Sequence, residues 1–168
     1  MELVKPTKKY EGSWHRVLEE FRHDEKTIKL WAVLGNPDDL DKCIAAAENY
    51  SRGIGLPADW VPYDLCWLVD DGEIIGLASI RHKLNEFLKR EGGHIGYEIV
   101  PSKRGKGYGN KILELSLGKA RDLGLKKVLV ACDDSNTASW KIMEKNGGKL
   151  NDKIKTERRI TRRYWINI

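Results

Sequence analysis

The chain has 168 residues, 40% apolar and 33% charged, with a net charge of +5, an ordinary balance for a soluble globular protein and enough length for one domain, residues 1–168, with a sizeable core. No apolar run approaches the roughly 20 residues that span a bilayer, and the opening MELVKPTKKYEGSWHR lacks the apolar stretch of a secretory signal, so a cytoplasmic protein without a membrane partner is expected. Cys43, Cys66 and Cys132 are widely spaced in apolar surroundings, which argues for buried thiols and against both a disulfide framework and a metal site.

Residues 2–10 read as a first extended segment. Trp14, Val17, Leu18 and Phe21 then recur at helical spacing. A second helix is expected to start at Asn36 or Pro37: asparagine caps well, proline fits a first turn, and Asp38, Asp39 and Asp41 suit the positive end of the dipole. Leu40, Ile44, Ala47 and Tyr50 supply its apolar face, and Gly55 to Pro62 reads as loop. Leu65 to Val69 is a strand, Asp70-Asp71-Gly72 a hairpin signal, and Glu73 to His82 the returning strand. Residues 83–93 read as a polar loop with a short helical turn, and His94 to Val100 as a third strand. A helix from Gly107 to Leu123 buries Ile112, Leu113, Leu117, Ala120 and Leu123, and Gly124 stops it. Lys127 to Cys132, dense in Val and Leu, has the pattern of a strand covered on both faces. Asn136 or Ser135 caps a last helix ending at Gly147-Gly148, and residues 158–167 form a final strand of β character. This order makes an α/β protein, one mixed sheet with helices on its faces, in which residues 94–132 form a right-handed parallel crossover.

The chemistry concentrates in Pro101 to Asn110, PSKRGKGYGN, between a strand and a helix. Arg104, Gly107 and Gly109 make R-x-x-G-x-G, with Gly105 as an extra glycine. Such glycines let the backbone take positive φ and approach a ligand closely. Successive N–H groups at a helix N-terminus cradle an anion, and Arg104 and Lys106 add positive charge. The loop therefore points to phosphate or pyrophosphate. It is no P-loop, because Gly107 follows Lys106 where a P-loop needs Ser or Thr after its lysine, and it is no dinucleotide fingerprint, because Asn110 stands at the third glycine.

The run HIGYEIVPSKRGKGYGNKILELSLGKARDLGLKKVLVACDDSNTASWKIMEKNGG resembles the GNAT superfamily of acyl-CoA N-acyltransferases, in element order as well as motif, from about residue 60 onward. The run IRHKLNEFLKREGGHIGYEI is similar to a bacterial subgroup of predicted acetyltransferases. The resemblance implies a GNAT-like fold: a central, mostly antiparallel sheet with one parallel, splayed strand pair and helices on both faces. It implies acetyl-CoA as co-substrate. Backbone amides from Arg104 through Gly105, Lys106, Gly107, Tyr108 and Gly109 to Asn110 would hold the pyrophosphate. Ile99 and Val100 would pair with the pantetheine arm, Leu129 to Cys132 would form the other wall of the splay, and Asn136 would contact the arm or serve only as a helix cap.

The implied reaction is direct attack of a primary amine on the thioester, with acetyl transfer to a small-molecule or protein acceptor. Glu98 and His94 are the candidate bases, four residues apart and on one face of an unbroken strand. The tyrosine that many family members carry seven residues after the asparagine is here Met143, read as packing; a thiol of pKa about 8.5 is a tolerable leaving group unaided. Arg81, His82, Asn85 and Glu86 sit on a polar stretch beside the expected site and are candidates for binding the acceptor, and Trp60, Trp67 and Tyr97 for lining its pocket. A non-catalytic acyl-CoA-binding or regulatory module is the alternative. Residues 149–168 carry seven of the basic residues against two acidic ones. With no nucleic-acid motif they read as a solvated strand face, with a possible edge-strand role in a homodimer; otherwise the chain is a monomer.

Overall fold

A computed structural model of the chain describes residues 1–24, 34, 36–156 and 159–168. The first sheet holds β1 (Glu2–Val4), β2 (Tyr63–Asp70), β3 (Glu73–Arg81) and β4 (Ile95–Ile99), in that order and antiparallel throughout. Asp71 and Gly72 both have positive φ, as the two central residues of a type I′ hairpin require. Side-chain alternation divides the sheet into two buried faces. Tyr63, Leu65, Trp67 and Leu77 pack on α1 (Glu11–Arg22) and α2 (Leu40–Ser51), while Cys66, Leu68, Ala78, Ile80, Ile95 and Ile99 pack on α3 (Tyr108–Asp122). Trp14 of α1 stacks on Trp67 at 4.9 Å and ties its indole N–H to the Pro37 carbonyl.

The second sheet is β5 (Lys127–Asp133), β7 (Ile160–Asn167) and β6 (Lys149–Lys155), with β7 central. One continuous sheet was expected; instead the layer divides between β4 and β5. The two strands meet at one joint, where His94 N–H donates to the Leu129 carbonyl (2.7 Å) and Leu129 N–H donates to His94 Nδ1 (2.9 Å). Gly93 permits this approach, since a Cβ there would lie 2.5 Å from the Leu129 oxygen. Beyond the joint the strands belong to separate sheets, which is the expected splay. The helices α3 and α4 (Thr137–Lys145) cover the same face of the molecule.

Four local expectations need correction. Residues 2–10 are strand only at Glu2–Val4, followed by a 3-10 turn at Lys8–Tyr10. The second helix begins at Leu40, because the Asp39 carboxylate accepts from Lys42 N–H and Asn36 is used up by a turn that closes on Asp39. Leu123 is an exposed cap residue. Residues 149–155 form a strand the sequence did not suggest, which makes β6 the edge and places the basic β7 inside the sheet; residue 158 of the expected last strand lies outside the described residues. The three cysteines are buried and free, as expected. Among the described residues no helix is long and apolar enough to cross a membrane.

Candidate functional site

The glycine loop leaves β4 through a 3-10 turn, Pro101–Lys103, that is clamped to α1. Ser102 donates through N–H and hydroxyl to Glu20 (2.8 and 2.9 Å), and Lys103 Nζ lies 2.6 Å from Glu73. The backbone then takes left-handed φ at Gly105 (75°) and Gly107 (85°), the latter being the N-cap of α3. A Cβ at either would meet nothing within 4 Å, so these glycines serve backbone conformation over an open face. Among the described residues, the N–H groups of Gly105, Lys106, Gly107, Tyr108 and Gly109 find no acceptor in the chain. They stand at the positive end of a 15-residue helix, where an anion is favoured. The side-chain oxygen of Asn110 is also buried without a partner. This cradle fits a phosphate-bearing ligand.

Gly109 has a different role. A Cβ there would fall 2.5 Å from Cδ1 of Ile142, so its bareness lets α3 and α4 close on each other. Arg104 turns away from the cradle. Its guanidinium donates to Glu98 (2.9 Å), Asp24 (2.7 Å) and the Ile99 carbonyl (3.1 Å). It thus orients the Glu98 carboxylate and stitches the end of β4 to the end of α1.

Next to the cradle lies the free edge of β4. Val100 N–H donates to Ile75 and the His94 carbonyl accepts from Arg81, both toward β3. Alternation therefore aims the backbone groups of Ile95, Tyr97 and Ile99 into the gap facing β5. Val100 is buried and Ile99 nearly so. Across the gap, β5 pairs with β7 alone among the described strands. Asn136 at the start of α4 accepts from Ser139 N–H at 3.0 Å, a helix cap in plain form. Met143 is buried among core residues. The Cys132 thiol is pushed up to about 11 by burial.

The two candidate bases differ in freedom. The His94 ring is buried, its Nδ1 is committed to Leu129, and burial together with the Arg81 charge lowers its pKa. The Glu98 carboxylate is partly exposed. Register pairs Glu98 with Leu77 and Gly96 with Ser79, so Glu98, Gly96, Ser79 and Arg81 share the face that turns toward α1 and α2.

The four acceptor candidates do not converge. Arg81 lies against Gly92, Gly93 and Gly96. His82 faces Asp64, its Nε2 3.3 Å from the carboxylate. Asn85 caps the turn that continues into a π-helical segment, Leu88–Gly92, by accepting from Leu88 N–H. Glu86 is exposed and pairs with Lys89 at 2.7 Å. Trp67 is core, and Trp60 rests partly exposed near Tyr63.

Tyr97 points to the α3 and α4 side, and its hydroxyl is buried without a hydrogen bond. Burial raises its pKa, and the nearby Ser139 hydroxyl acts against that shift. Neither this orphaned hydroxyl nor that of Ser79 carries a signal in the sequence, since both follow from what the neighbouring elements fail to supply. The basic C-terminal segment is largely neutralised: Arg162 and Lys153 pair with Asp134, Arg163 with Asp152, and Arg159 with Glu91. Arg158 lies outside the described residues. A cleft of about 630 Å³ between β1, α3 and the end of β7 contains none of the candidate residues.

Comparison with solved structures recovers this fold. Aminoglycoside acetyltransferase AAC(6')-Ib, solved with coenzyme A and kanamycin, superposes with a TM-score of 0.65 at 16% identity, covering 99% of this chain and 94% of that one. An N-acetyltransferase from Staphylococcus aureus Mu50 gives 0.59 at 18% identity, covering 99% of both chains. A Salmonella typhimurium protein described as an acetyltransferase, solved with acetyl-CoA, gives 0.60 at 15%, covering 99% and 94%. At such identities these matches establish the fold alone. No curated protein sequence matches the chain significantly. The family model described as the acetyltransferase (GNAT) domain matches residues 5–149; with the anion cradle, the splayed strands and the fold all in place, the chain belongs to the GNAT acetyltransferase family.

Proposed function

We propose that the protein transfers an acetyl group from acetyl-CoA to a primary amine. The observation that carries this reading is the contiguity of the N–H cradle at residues 105–109 with the unpaired edge of β4. A ligand with a pyrophosphate at one end and an amide-bearing arm matches both, the first by anion binding and the second by strand-like pairing. Acetyl-CoA supplies the activated acyl group when bound.

The chain's own groups then have separable tasks. Tyr97 offers a backbone donor and acceptor to the arm and Ile99 a donor, its carbonyl being held by Arg104, and a β4 N–H polarises the thioester carbonyl. Glu98, held by Arg104, takes the proton from the attacking amine, directly or through one water. His94 holds the joint of the splay, because its ring is buried and its Nδ1 already accepts from Leu129. The Tyr97 hydroxyl, buried in the direction of α4 and Cys132, donates a hydrogen bond to the departing sulfur, a task Met143 cannot perform.

Calorimetric titration with acetyl-CoA, followed by CoA-release assays over a panel of amines, tests the reading. Saturable binding and acceptor-dependent release are expected, with Glu98→Gln reducing kcat about a hundredfold or more. Absence of binding by the folded protein would remove the acyl-transfer reading. Binding without turnover across the panel would favour a non-catalytic acyl-CoA-binding module, the reading to which the thioether of Met143 lends weight.

A further inference from the structure

The geometry points to an acceptor that carries a carboxylate, held by Arg81 and Ser79 a short distance from the amine that faces Glu98. This inference rests on the acyl-transfer reading above and deepens it to a substrate class.

Arg81 ends β3 with a guanidinium that makes no ion pair among the described residues. Its Nη1 donates to the carbonyls of Gly92 (3.2 Å) and Gly93 (3.1 Å). Those bonds use two of the five N–H donors of an arginine; among the described residues Nε and Nη2 have no partner. Burial pushes the guanidinium down to about 10, the direction expected when no carboxylate offsets the loss of water. Arg16, Arg22, Arg104, Arg159, Arg162 and Arg163 all meet Asp or Glu, and Arg52, Arg90 and Arg121 are exposed to solvent. Arg81 is a half-buried cation for which no described residue supplies a counter-charge.

The second observation is independent. Ser79 is 1% exposed, and its hydroxyl has no hydrogen-bond partner. Native folds rarely leave such a group unpaired without a bound water or ligand. Both groups border the same bare spot. A Cβ on Gly96 would stand 3.1 Å from Ser79 Oγ, 3.4 Å from Arg81 Nη2 and 3.6 Å from Nη1. The absent side chain leaves a niche whose nearest neighbours are a hydroxyl and a guanidinium edge. Donors dominate it, so the complementary group is an acceptor, and the unbalanced charge makes that acceptor an anion.

Position gives the spacing. Gly96 and Glu98 lie two residues apart on one face of β4, about 6.5 Å at the rise of a strand. An acceptor whose carboxylate enters the niche therefore has its amine four or five bonds away when that amine reaches Glu98. Longer amino carboxylates fit this span, whereas alkylamines leave Arg81 and Ser79 unmatched.

The test compares acetylation of 4-aminobutyrate with butylamine and of 5-aminopentanoate with pentylamine, at saturating acetyl-CoA. The wild type is expected to prefer the carboxylate member by about tenfold to a hundredfold in kcat/KM, mainly through KM. Ser79→Ala removes a hydroxyl that bonds to nothing, so it should fold normally and lose part of the preference. Arg81→Lys keeps the charge but not the fork and should lose most of it. Equal rates within each pair, or a preference untouched by Ser79→Ala and Arg81→Lys, would overturn the inference while leaving acyl transfer intact. Failure of both amino carboxylates, with acetyl-CoA bound and other amines of the panel acetylated, would likewise overturn the inference and leave acyl transfer standing.

Discussion

Replacing Gly109 with alanine separates two explanations of the third glycine in the loop. The new Cβ would lie 2.5 Å from Cδ1 of Ile142 and 3.6 Å from its Cγ1. Forcing that overlap costs about 1–3 kcal/mol, against about 1 kcal/mol gained from alanine over glycine in a helix. The expected net loss is up to about 2 kcal/mol, a fall in Tm of up to about 8 °C for a domain of this size. In an Ile142→Val background the clashing methyl is gone and the remaining contact is ordinary. Gly109→Ala should then become neutral or stabilising, by up to about 1 kcal/mol. Urea unfolding of the four proteins reads this as a coupling of about 1–3 kcal/mol. The double variant should bind acetyl-CoA within about threefold of wild type. Additive stabilities, or lost binding in a stable double variant, would refute the packing role and place Gly109 against the ligand.

Gly107→Ala puts a side chain at φ 85° in open space; about 1–2 kcal/mol of backbone strain is expected, with acetyl-CoA binding weakened tenfold or more in calorimetry as the N–H groups rotate out of the cradle. Because burial lowers the His94 pKa below its ordinary 6.5, the unfolded chain binds that proton first as pH falls. Stability from the neutral ring is thus present above 6.5, declines below it, and levels off once the folded ring protonates; urea midpoints from pH 8 to 5 should show this slope, reduced in His94→Asn. Tyr97→Phe removes a hydroxyl that makes no hydrogen bond, so Tm should stay constant or rise slightly. Its kcat should fall most with acyl donors whose thiols have high pKa, and an equal fall for all donors would argue against a role at sulfur.

The features legible in the sequence are those that neighbouring residues impose on one another. Gly105 and Gly107 announce positive φ before a helix. Asp71-Gly72 announces a hairpin, and Asn136 a cap. The apolar spacing of Trp14 to Phe21 and of Ile112 to Ala120 exposes the buried faces of α1 and α3. Each of these is decided within a few residues, and each stands in the fold where its pattern placed it. The strand at Lys149–Lys155 carries little signal in the sequence, because KLNDKIK is a mostly exposed edge without regular apolar alternation and its place is set by pairing with β7. Arg104 read as a cradle cation, yet Asp24, 80 residues away, and Glu98 hold it. His94 read as a candidate base on the strand that runs into the loop; that Leu129, 35 residues on, donates to its ring nitrogen is set by the fold. The unmatched charge at Arg81 and the idle hydroxyls of Ser79 and Tyr97 likewise exist only after packing has brought their neighbours in. Local sterics and hydrophobic period are written along the chain; which polar group finds a partner, and which is left for a ligand, depends on distances that only the folded chain defines.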